Sequence, residues 1–379
     1  MDFALTDEQQ ALVEMAKGLA RRHSPDPRVT WEDAAHFPWG FCRALAGHGL
    51  TGIDIAVERG GQGLSLLDSV LVLEAVGSTS PHLADAVQVT NFGAVRQIAA
   101  FAGERVVKEV LGEIMAGRAL ATIAMSEPGA GSAVTSLTTR AEVYGDVVRV
   151  TGQKVFNSNG PHATHYVVWA RFGEAREQVG AVVVPADSPG FSRGKPERFL
   201  SGELHCALHF TGATAPKDYI LLNRDGTRRM LSIFNIERLG NATRSLAFGE
   251  LALRLATTHL LERETGGKRL ADLQGLQWKL ADARLQLDSA RLLLYRAASV
   301  LQHGVPDPLY TSMAKVACNE AGFSVANQAL QLFGGYGFTT EYPLDYLLMR
   351  CRGWMIAGGS VEVQRNRIAH EILKRHRPD

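Results

Sequence analysis

The chain has 379 residues, of which 46% are hydrophobic, so it is long enough to form two or three domains that each bury a core. Its 40 basic and 39 acidic residues give a formal net charge of +1 at pH 7, and we therefore expect no nucleic-acid partner. The sequence contains no apolar run of about 18 residues, which argues against a membrane span. The lack of an apolar leader and the four widely spaced cysteines favour a reduced, cytoplasmic protein.

Two zones of different character follow each other in the first 225 residues. Residues 1–120 carry helical periodicity, with Thr6 as a candidate N-cap for a helix over 8–22 and a second helix over 66–77. Residues 121–225 instead contain β-rich runs broken by glycine and proline. The segment 143–148 predicts a hairpin with Gly145-Asp146 at its turn, and 165–170 and 179–185 predict two more strands.

From about residue 230 the helical signal is strong. Leucines recur every seven residues in two runs, which are Leu239, Leu246, Leu253 and Leu260, then Leu273, Leu280, Leu287, Leu294 and Leu301. Gly266-Gly267 separates the two predicted helices by a short loop, so an antiparallel bundle is favoured over a coiled coil. A third helix is predicted over about 310–333, ended by a glycine C-cap at Gly334.

Together these zones predict an α+β fold that is mostly α. We expect an N-terminal helical domain at 1–120, a middle antiparallel β domain at 121–225 and a C-terminal four-helix bundle at 226–379. No metal site is expected, because His205 and His209 on one extended strand would be about 13 Å apart at 3.3 Å per residue.

The most informative stretch is residues 124–132, Ala-Met-Ser-Glu-Pro-Gly-Ala-Gly-Ser, which follows a possible buried strand at 119–123. Gly129 and Gly131 lack a Cβ, so backbone N–H groups there can closely approach a flat or anionic ligand. Ser126 and Ser132 add hydroxyl donors. An ordinary Pro-Gly turn is the alternative interpretation.

Five ordered motifs resemble those of the acyl-CoA dehydrogenase family and cover nearly the whole chain. They lie at residues 124–132, 152–160, 261–268, 331–337 and 358–365. The resemblance implies the acyl-CoA dehydrogenase fold, with FAD held between the β domain and the bundle. It also implies α,β-dehydrogenation of an acyl thioester to the trans-2-enoyl product, in which hydride leaves the β-carbon for flavin N5.

The resemblance assigns cofactor-binding residues in both domains. These are Met125, Ser126, Gly131, Ser132, Phe156, Ser158, Arg263, Gln331, Gly334, Gly335, Ser360 and Glu362. Those in the β domain would meet the flavin ring and pyrophosphate, whereas Arg263, Gln331 and the glycines would reach the dinucleotide of a neighbouring subunit. Two alternatives stay open, namely Phe156 as a β-core aromatic and Arg263 as a solvated cation at a helix end.

The implied reaction needs a carboxylate to remove the α-proton, and most family members place it in the C-terminal motif. Here that position is Gly358, which can offer only its backbone N–H to the thioester oxygen. Glu237, expected to open the first bundle helix, occupies the position used by the isovaleryl-type and long-chain branches and is the candidate base. Asn235, Arg238 and Ser132 are candidate substrate-binding residues. An acid favoured in the first turn of a helix is the alternative for Glu237.

The resemblance also implies partners. An electron-transfer flavoprotein or similar acceptor would receive the electrons, and the assembly would be a homotetramer or homodimer. Gly266 and Ala133 depart from the family pattern, which leaves a heteromer open. Coenzyme A and acyl carrier protein both stay open as carrier. A flavin oxidase or monooxygenase and a non-catalytic subunit of a heteromeric dehydrogenase are the alternative functions.

Overall fold

The structure is a computed structural model that describes residues 4–24, 26–29, 31–175, 178–302 and 304–376. Its contacts divide the chain into two compact units. The first comprises residues 1–33, 66–84 and 238–379, and the second comprises 34–65 and 85–237. No helix in the described ranges is both long and apolar enough to cross a bilayer.

Helices make up most of the chain, which confirms the predicted α+β, mostly helical fold. In the described ranges they are α1 (Asp7–His23), α2 (Trp31–Ala35), α3 (Trp39–Gly47), α4 (Leu66–Gly77), α5 (Ala84–Asn91), α6 (Ala94–Phe101), α7 (Glu104–Val106), α8 (Gly112–Met115), α9 (Gly226–Glu262), α10 (Gln274–Ser299), α11 (Pro308–Phe333), α12 (Leu344–Trp354) and α13 (Val361–Arg375). The predicted N-cap is confirmed, because the Thr6 hydroxyl accepts from the Gln9 backbone N–H and the Gln9 side chain returns the bond.

The second unit contains one nine-stranded sheet. Its strands are β1 (Ala121–Ala124), β2 (Arg140–Tyr144), β3 (Val147–Ser158), β4 (His165–Arg171), β5 (Val179–Pro185), β6 (Phe191–Arg193), β7 (Glu197–Arg198), β8 (Leu204–Pro216) and β9 (Ile220–Leu222). The order is β6-β8-β3-β2-β4-β5-β9, with β1 beside β4 and β7 beside β8. Tyr144 pairs with Val147 across Gly145-Asp146, as the hairpin prediction requires.

The sheet of the predicted antiparallel domain contains two parallel pairings, because β2 meets β4 in parallel at Arg140 and Arg171, and β1 does so as well. Strand β1 runs parallel to β4 over four residue pairs, from Ala121 with His165 to Ala124 with Val168. A four-residue apolar run specifies burial but not the direction of its partner, since pairing depends on residues distant in sequence. The parallel pairing lets β1 deliver the chain directly into the loop at 124–132.

The first unit contains a bundle of long helices. Helices α9 and α10 are joined by a hairpin of β10 (Glu264–Thr265) and β11 (Lys268–Arg269), and α10 and α11 by β12 (Leu301–Gln302) and β13 (Val305–Pro306). Gly266 and Gly267 form the first turn with φ of 55° and 78°, the pair of positive values that a two-residue type I′ turn needs. Helix α11 ends at Phe333, and Gly334 follows with φ of 60°, as expected.

The heptad prediction holds for only part of each leucine run. Leu246 in α9 and Leu287 and Leu294 in α10 are fully buried. Leu273 and Leu301, however, lie outside α10 and are 37% and 46% exposed. The second leucine repeat therefore continues beyond both ends of α10.

Glycines allow α9 and α11 to approach closely. A Cβ built on Gly322 would lie 2.2 Å from the carbonyl oxygen of Ser245 and 2.5 Å from its Oγ. A Cβ on Gly249 would lie 3.1 Å from the Cα of Gly322. The two glycines face each other, so a side chain at either position must separate the helices.

We expect Gly322→Ala to lower the free energy of unfolding by about 3 kcal/mol, because its methyl group would overlap backbone that cannot move freely. Gly275→Ala is the matched control, since a Cβ there meets nothing within 4 Å. Urea titration of both variants measures the effect. Equal stability of the two variants would contradict the close approach of the helices.

Candidate functional site

The loop at 124–132 is a tight turn that leaves its backbone open. Glu127 and Ala130 exchange two backbone hydrogen bonds of 3.0 Å, which makes Pro128-Gly129 a two-residue turn. Gly131 and Ser132 follow it and are exposed. A Cβ on Gly129 or Gly131 would meet nothing within 4 Å, so both face open space. The loop is thus a Pro-Gly turn, and the same turn leaves backbone open where a ligand was predicted to bind.

A buried ion pair holds this loop against strand β3. Lys154 Nζ lies 2.8 Å from Glu127 Oε1, and the two side chains are 0% and 4% exposed. The Lys154 ammonium also donates to the Met125 carbonyl at 3.0 Å. The Glu127 carboxylate accepts from the backbone N–H groups of Thr138 and Thr139 and from the Thr138 hydroxyl. Additional hydrogen bonds of this kind offset part of the cost of burying the two charges.

Each member of the pair shifts the pKa of the other toward its charged form. Burial alone would raise the pKa of the Glu127 carboxyl, but hydrogen bonds from Lys154 and Thr139 and the Lys154 charge lower that pKa to about 2. Burial lowers the pKa of Lys154 to about 8, although the Glu127 carboxylate opposes the shift. The backbone at Met125 is therefore fixed by a full ionic contact.

Phe156 points outward from β3 in a strained conformation. Its φ is 58°, a left-handed value that costs a non-glycine residue about 1 kcal/mol or more. Its side chain is 66% exposed, whereas Lys154 and Asn157 on either side are buried. The pairing of β3 with β8 is irregular between Lys154 and Asn157, and this irregularity accompanies the outward turn of the ring. The alternative that Phe156 is a β-core aromatic is wrong.

Phe156 is supported by Phe199, which was not predicted as part of the site, and by His205, which was considered only as a metal ligand. His205 Nδ1 lies 3.3 Å from the Phe156 carbonyl oxygen. The His205 ring stacks on Phe199 with centroids 3.6 Å apart, and Phe199 meets the Phe156 ring edge-on at 6.3 Å. Pairing of β8 with β3 on one side and with β7 on the other brings His205 close to Phe156 and Phe199.

The structure brings four predicted cofactor residues to one surface of the second unit. The Val155 N–H donates to the Ser126 carbonyl at 2.9 Å, and the Thr122 hydroxyl donates to the Ser158 carbonyl at 2.9 Å. These bonds place Met125 and Ser126 beside the segment that carries Phe156 and Ser158. An exposed aromatic ring next to open glycine backbone fits a flat aromatic ligand such as a flavin.

A second set of predicted residues lines a cavity of about 680 Å³ in the first unit. Arg263, Gln331, Gly334 and Gly335 lie on its wall. The walls also carry His259, Phe333, Tyr336 and Lys279. The Arg263 guanidinium carbon lies 5.6 Å from the centre of the Tyr336 ring. Cationic side chains, glycine backbone and aromatic rings together suit a phosphate-bearing nucleotide.

Two predicted cofactor residues lie elsewhere in the first unit. Ser360 caps α13, and its hydroxyl accepts from the Val363 backbone N–H at 3.4 Å. Glu362 is exposed in the first turn of that helix, where the Ser360 hydroxyl lowers its pKa. Neither residue lines the cavity of 680 Å³, so their assignment to the cofactor stays a prediction.

Glu237 lies well inside a helix. Helix α9 begins at Gly226, eleven residues earlier, so the expectation that Glu237 opens the helix is wrong. The alternative of a first-turn acid therefore fails. The Gln88 side-chain amide donates to Glu237 Oε2 at 2.8 Å, and Gln88 is only 4% exposed. Gln88 precedes Glu237 by 149 residues, and the sequence analysis did not identify it.

Gly358 is tightly enclosed. Its φ is 72°, and a Cβ there would lie 2.8 Å from Asn241 Nδ2 and 3.4 Å from Lys315 Cε. Arg238 Nε donates to the Gly358 carbonyl at 3.1 Å. Burial and the neighbouring Arg367 lower the pKa of Arg238 to about 10, which leaves it charged at neutral pH. A side chain at position 358 would therefore require a left-handed backbone and a shift of the Asn241 and Lys315 side chains.

The remaining candidate residues give less support for a catalytic or binding role. Asn235 is buried on α9 and Ser132 is exposed in its loop, so their roles toward substrate stay predictions. All four cysteines are buried free thiols, and burial raises the pKa of Cys42 to about 12. Within the described ranges, no three His, Cys, Asp or Glu side chains are grouped so that they could hold a metal ion.

Comparison with known proteins gives consistent matches along the chain. Family models described as the acyl-CoA dehydrogenase N-terminal, middle and C-terminal domains match residues 6–118, 122–213 and 224–373. A 3-sulfinopropanoyl-CoA desulfinase from Advenella mimigardefordensis is 31% identical over 98% of this chain and 95% of that protein. The human mitochondrial short-chain specific acyl-CoA dehydrogenase is also 31% identical, over 98% of this chain and 92% of that protein. The structure of butyryl-CoA dehydrogenase from Megasphaera elsdenii matches with a TM-score of 0.91 and 27% identity. The match covers 98% of this chain and 100% of that chain.

We expect Lys154→Met to lower the free energy of unfolding by about 3 kcal/mol, because it leaves the buried Glu127 carboxylate without its countercharge. Lys195→Met is the matched control, since Lys195 is an exposed lysine of the same unit. Chemical denaturation of both variants provides the measurement. If the two variants lose the same stability, the ion pair does not fix the loop.

Proposed function

The chain belongs to the acyl-CoA dehydrogenase family, and we propose that Glu237 is the base that removes the α-proton of its acyl-CoA substrate. The family's members are FAD-dependent oxidoreductases that act on CH–CH donors, and FAD is the cofactor of this protein. One observation carries the proposal. The chain has a glycine enclosed at position 358, where a carboxylate is usual, and a carboxylate at Glu237 held by a buried amide.

The residues of the second unit would hold the flavin end of the cofactor. FAD, when bound, accepts the hydride that leaves the substrate β-carbon. The exposed ring of Phe156 and the backbone of Met125 and Ser126 form the proposed wall, with Ser158 beside them. This assignment is supported by the strained, outward conformation of Phe156 and by the ion pair that fixes the neighbouring loop.

The proton chemistry needs two contributions from the chain. The Glu237 carboxylate takes the α-proton and becomes a neutral acid, leaving the trans-2-enoyl thioester once hydride has left. The Gly358 backbone N–H donates to the thioester oxygen and stabilises the enolate character that develops there. Arg238 supports this step by holding the Gly358 carbonyl at 3.1 Å. Asn235 and Ser132 stay candidates for contact with the thioester arm.

We further propose that copies of the chain assemble so that one copy completes the cofactor site of another. The cavity lined by Arg263, Gln331, Gly334 and Gly335 would receive the dinucleotide part of a neighbour's FAD. Support comes from α10, where Trp278, Leu285 and Leu292 form an apolar stripe with seven-residue spacing and exposures of 61%, 66% and 53%. Such a stripe is typical of a helix that packs against a partner helix.

The proposed electron acceptor is an electron-transfer flavoprotein or a similar protein. An oxidase would instead return its electrons directly to oxygen. Stopped-flow mixing of the substrate-reduced protein with oxygenated buffer distinguishes the two functions, because slow reoxidation supports a protein acceptor and fast reoxidation supports an oxidase.

We expect Glu237→Gln to keep bound FAD but to slow the anaerobic bleaching of its absorbance by acyl-CoA by a factor of about 10² to 10⁴, the usual contribution of a general base. The substrate panel contains short, branched and long acyl-CoAs together with 3-sulfinopropanoyl-CoA. Glu262→Gln, an exposed acid at the end of the same helix, is the control and should bleach normally. Undiminished bleaching by Glu237→Gln would remove Glu237 as the base.

We expect Leu285→Glu to reduce the mass of the assembly and the FAD content together, because a charge in the middle of the apolar stripe opposes contact between copies. Sedimentation velocity and the ratio of flavin to protein absorbance measure both quantities. Val57→Glu, which changes an apolar residue that is 65% exposed in the other unit, is the control. An unchanged mass in Leu285→Glu would refute this face as the interface.

A further inference from the structure

Asn241 is a buried polar side chain beside Gly358. Both residues belong to the first unit, with Asn241 on α9 and Gly358 in the segment between α12 and α13. Asn241 is only 3% exposed. Its Nδ2 lies 2.8 Å from the position that a Cβ on Gly358 would take, whereas its Cγ lies 4.0 Å from that position. The amide therefore approaches Gly358 with its nitrogen end first.

The orientation of the Asn241 amide is fixed by Arg244. Arg244 Nη2 donates to Asn241 Oδ1 at 2.7 Å. A guanidinium has only donors, so it must face the amide oxygen, and the NH₂ group must point the other way. The Arg244 guanidinium carbon lies 4.6 Å from the centre of the Trp354 ring. The Trp354 carbonyl in turn accepts from Lys315 Nζ at 3.0 Å, so the partner of Arg244 is itself anchored.

The Asn241 NH₂ group has no acceptor within the part of the chain that the structure describes. The bond from Arg244 is the one hydrogen bond that this side chain makes there. A donor without a partner in a buried side chain costs free energy, and a leucine of similar shape would avoid that cost. The donor is therefore open to a group that the described chain does not supply.

We propose that Asn241 is a specificity-determining residue whose NH₂ group donates to an oxygen atom on the acyl chain of the substrate. The inference rests on the proposed function, in which the Gly358 N–H binds the thioester oxygen. The acyl carbons next to that thioester lie within reach of a donor that adjoins the same glycine. The Arg244 guanidinium polarises the amide through its oxygen and so strengthens its N–H donors. The preferred substrates are thus short acyl-CoAs that carry a hydroxyl or carboxylate oxygen.

Two pairs of substrates with matched shapes test the inference. 4-Hydroxybutyryl-CoA and pentanoyl-CoA differ only in a terminal hydroxyl or methyl group. Succinyl-CoA and 4-methylpentanoyl-CoA differ only in a terminal carboxylate or isopropyl group. We expect the unaltered holoenzyme to have a kcat/KM about tenfold higher for the oxygen-bearing member of one or both pairs, because the alkyl member leaves the donor unpaired. The pair that shows the preference identifies a neutral or an anionic acceptor.

Two variants of Asn241 and a control complete the experiment. Asn241→Leu has no donor, so it should lose about the whole tenfold preference while its kcat/KM for the alkyl members stays level or rises. Asn241→Asp keeps the size of the side chain and should reject succinyl-CoA in particular, because two carboxylates repel each other. Thr243→Val is the matched control, since Thr243 is fully buried on the same helix and donates to the Leu239 carbonyl at 2.8 Å. The control should leave both ratios in place.

Calorimetric titration of the dithionite-reduced proteins with the same pairs measures the dissociation constants without turnover, and these should show the same ratios. Equal values within both pairs, or ratios that neither Asn241 variant changes, would overturn the inference. An equal fall for both members of each pair would place the donor on the thioester, which all substrates share, and would also overturn it. Undiminished bleaching by Glu237→Gln would instead refute the base and leave these ratios as a test of Asn241.

Discussion

The contact between Lys154 and Glu127 is the constraint on which the proposed flavin surface depends. An ion pair excluded from water is stable only when its remaining hydrogen-bonding groups are satisfied, and here Met125, Thr138 and Thr139 satisfy them. The loop and the strand therefore cannot move independently. The exposed residues beside the pair, above all Phe156, are therefore held by a contact that is itself buried.

The proposed proton chemistry depends on a second rigid element, helix α9. Because α9 starts at Gly226, Glu237 lies more than three turns from a frayed end and has a fixed direction. Position 358 has a left-handed backbone and close neighbours in Asn241 and Lys315, so glycine suits it. In the proposed mechanism, Gly358 contributes only its backbone N–H, and Glu237 on α9 would supply the carboxylate.

Features governed by neighbouring residues could be predicted from the sequence, and features governed by distant pairing could not. The Thr6 cap, the turn at Gly145-Asp146 and the end of α11 follow from local chemistry. The leucine repeat that predicted the first bundle helix starts only at Leu239, so it gave no signal for the start of α9 at Gly226. The bond from Gln88 to Glu237 joins residues 149 apart, and the outward turn of Phe156 follows irregular pairing with β8.

Position 156 is subject to two opposing demands. A left-handed backbone is easiest for glycine, whereas an open surface that must hold a planar molecule is best served by an aromatic ring. The chain keeps the phenylalanine and accepts the strain, supported by His205 and Phe199. Selection for stability alone would favour glycine at this position, so the exposed, strained ring is consistent with the proposed contact with the flavin.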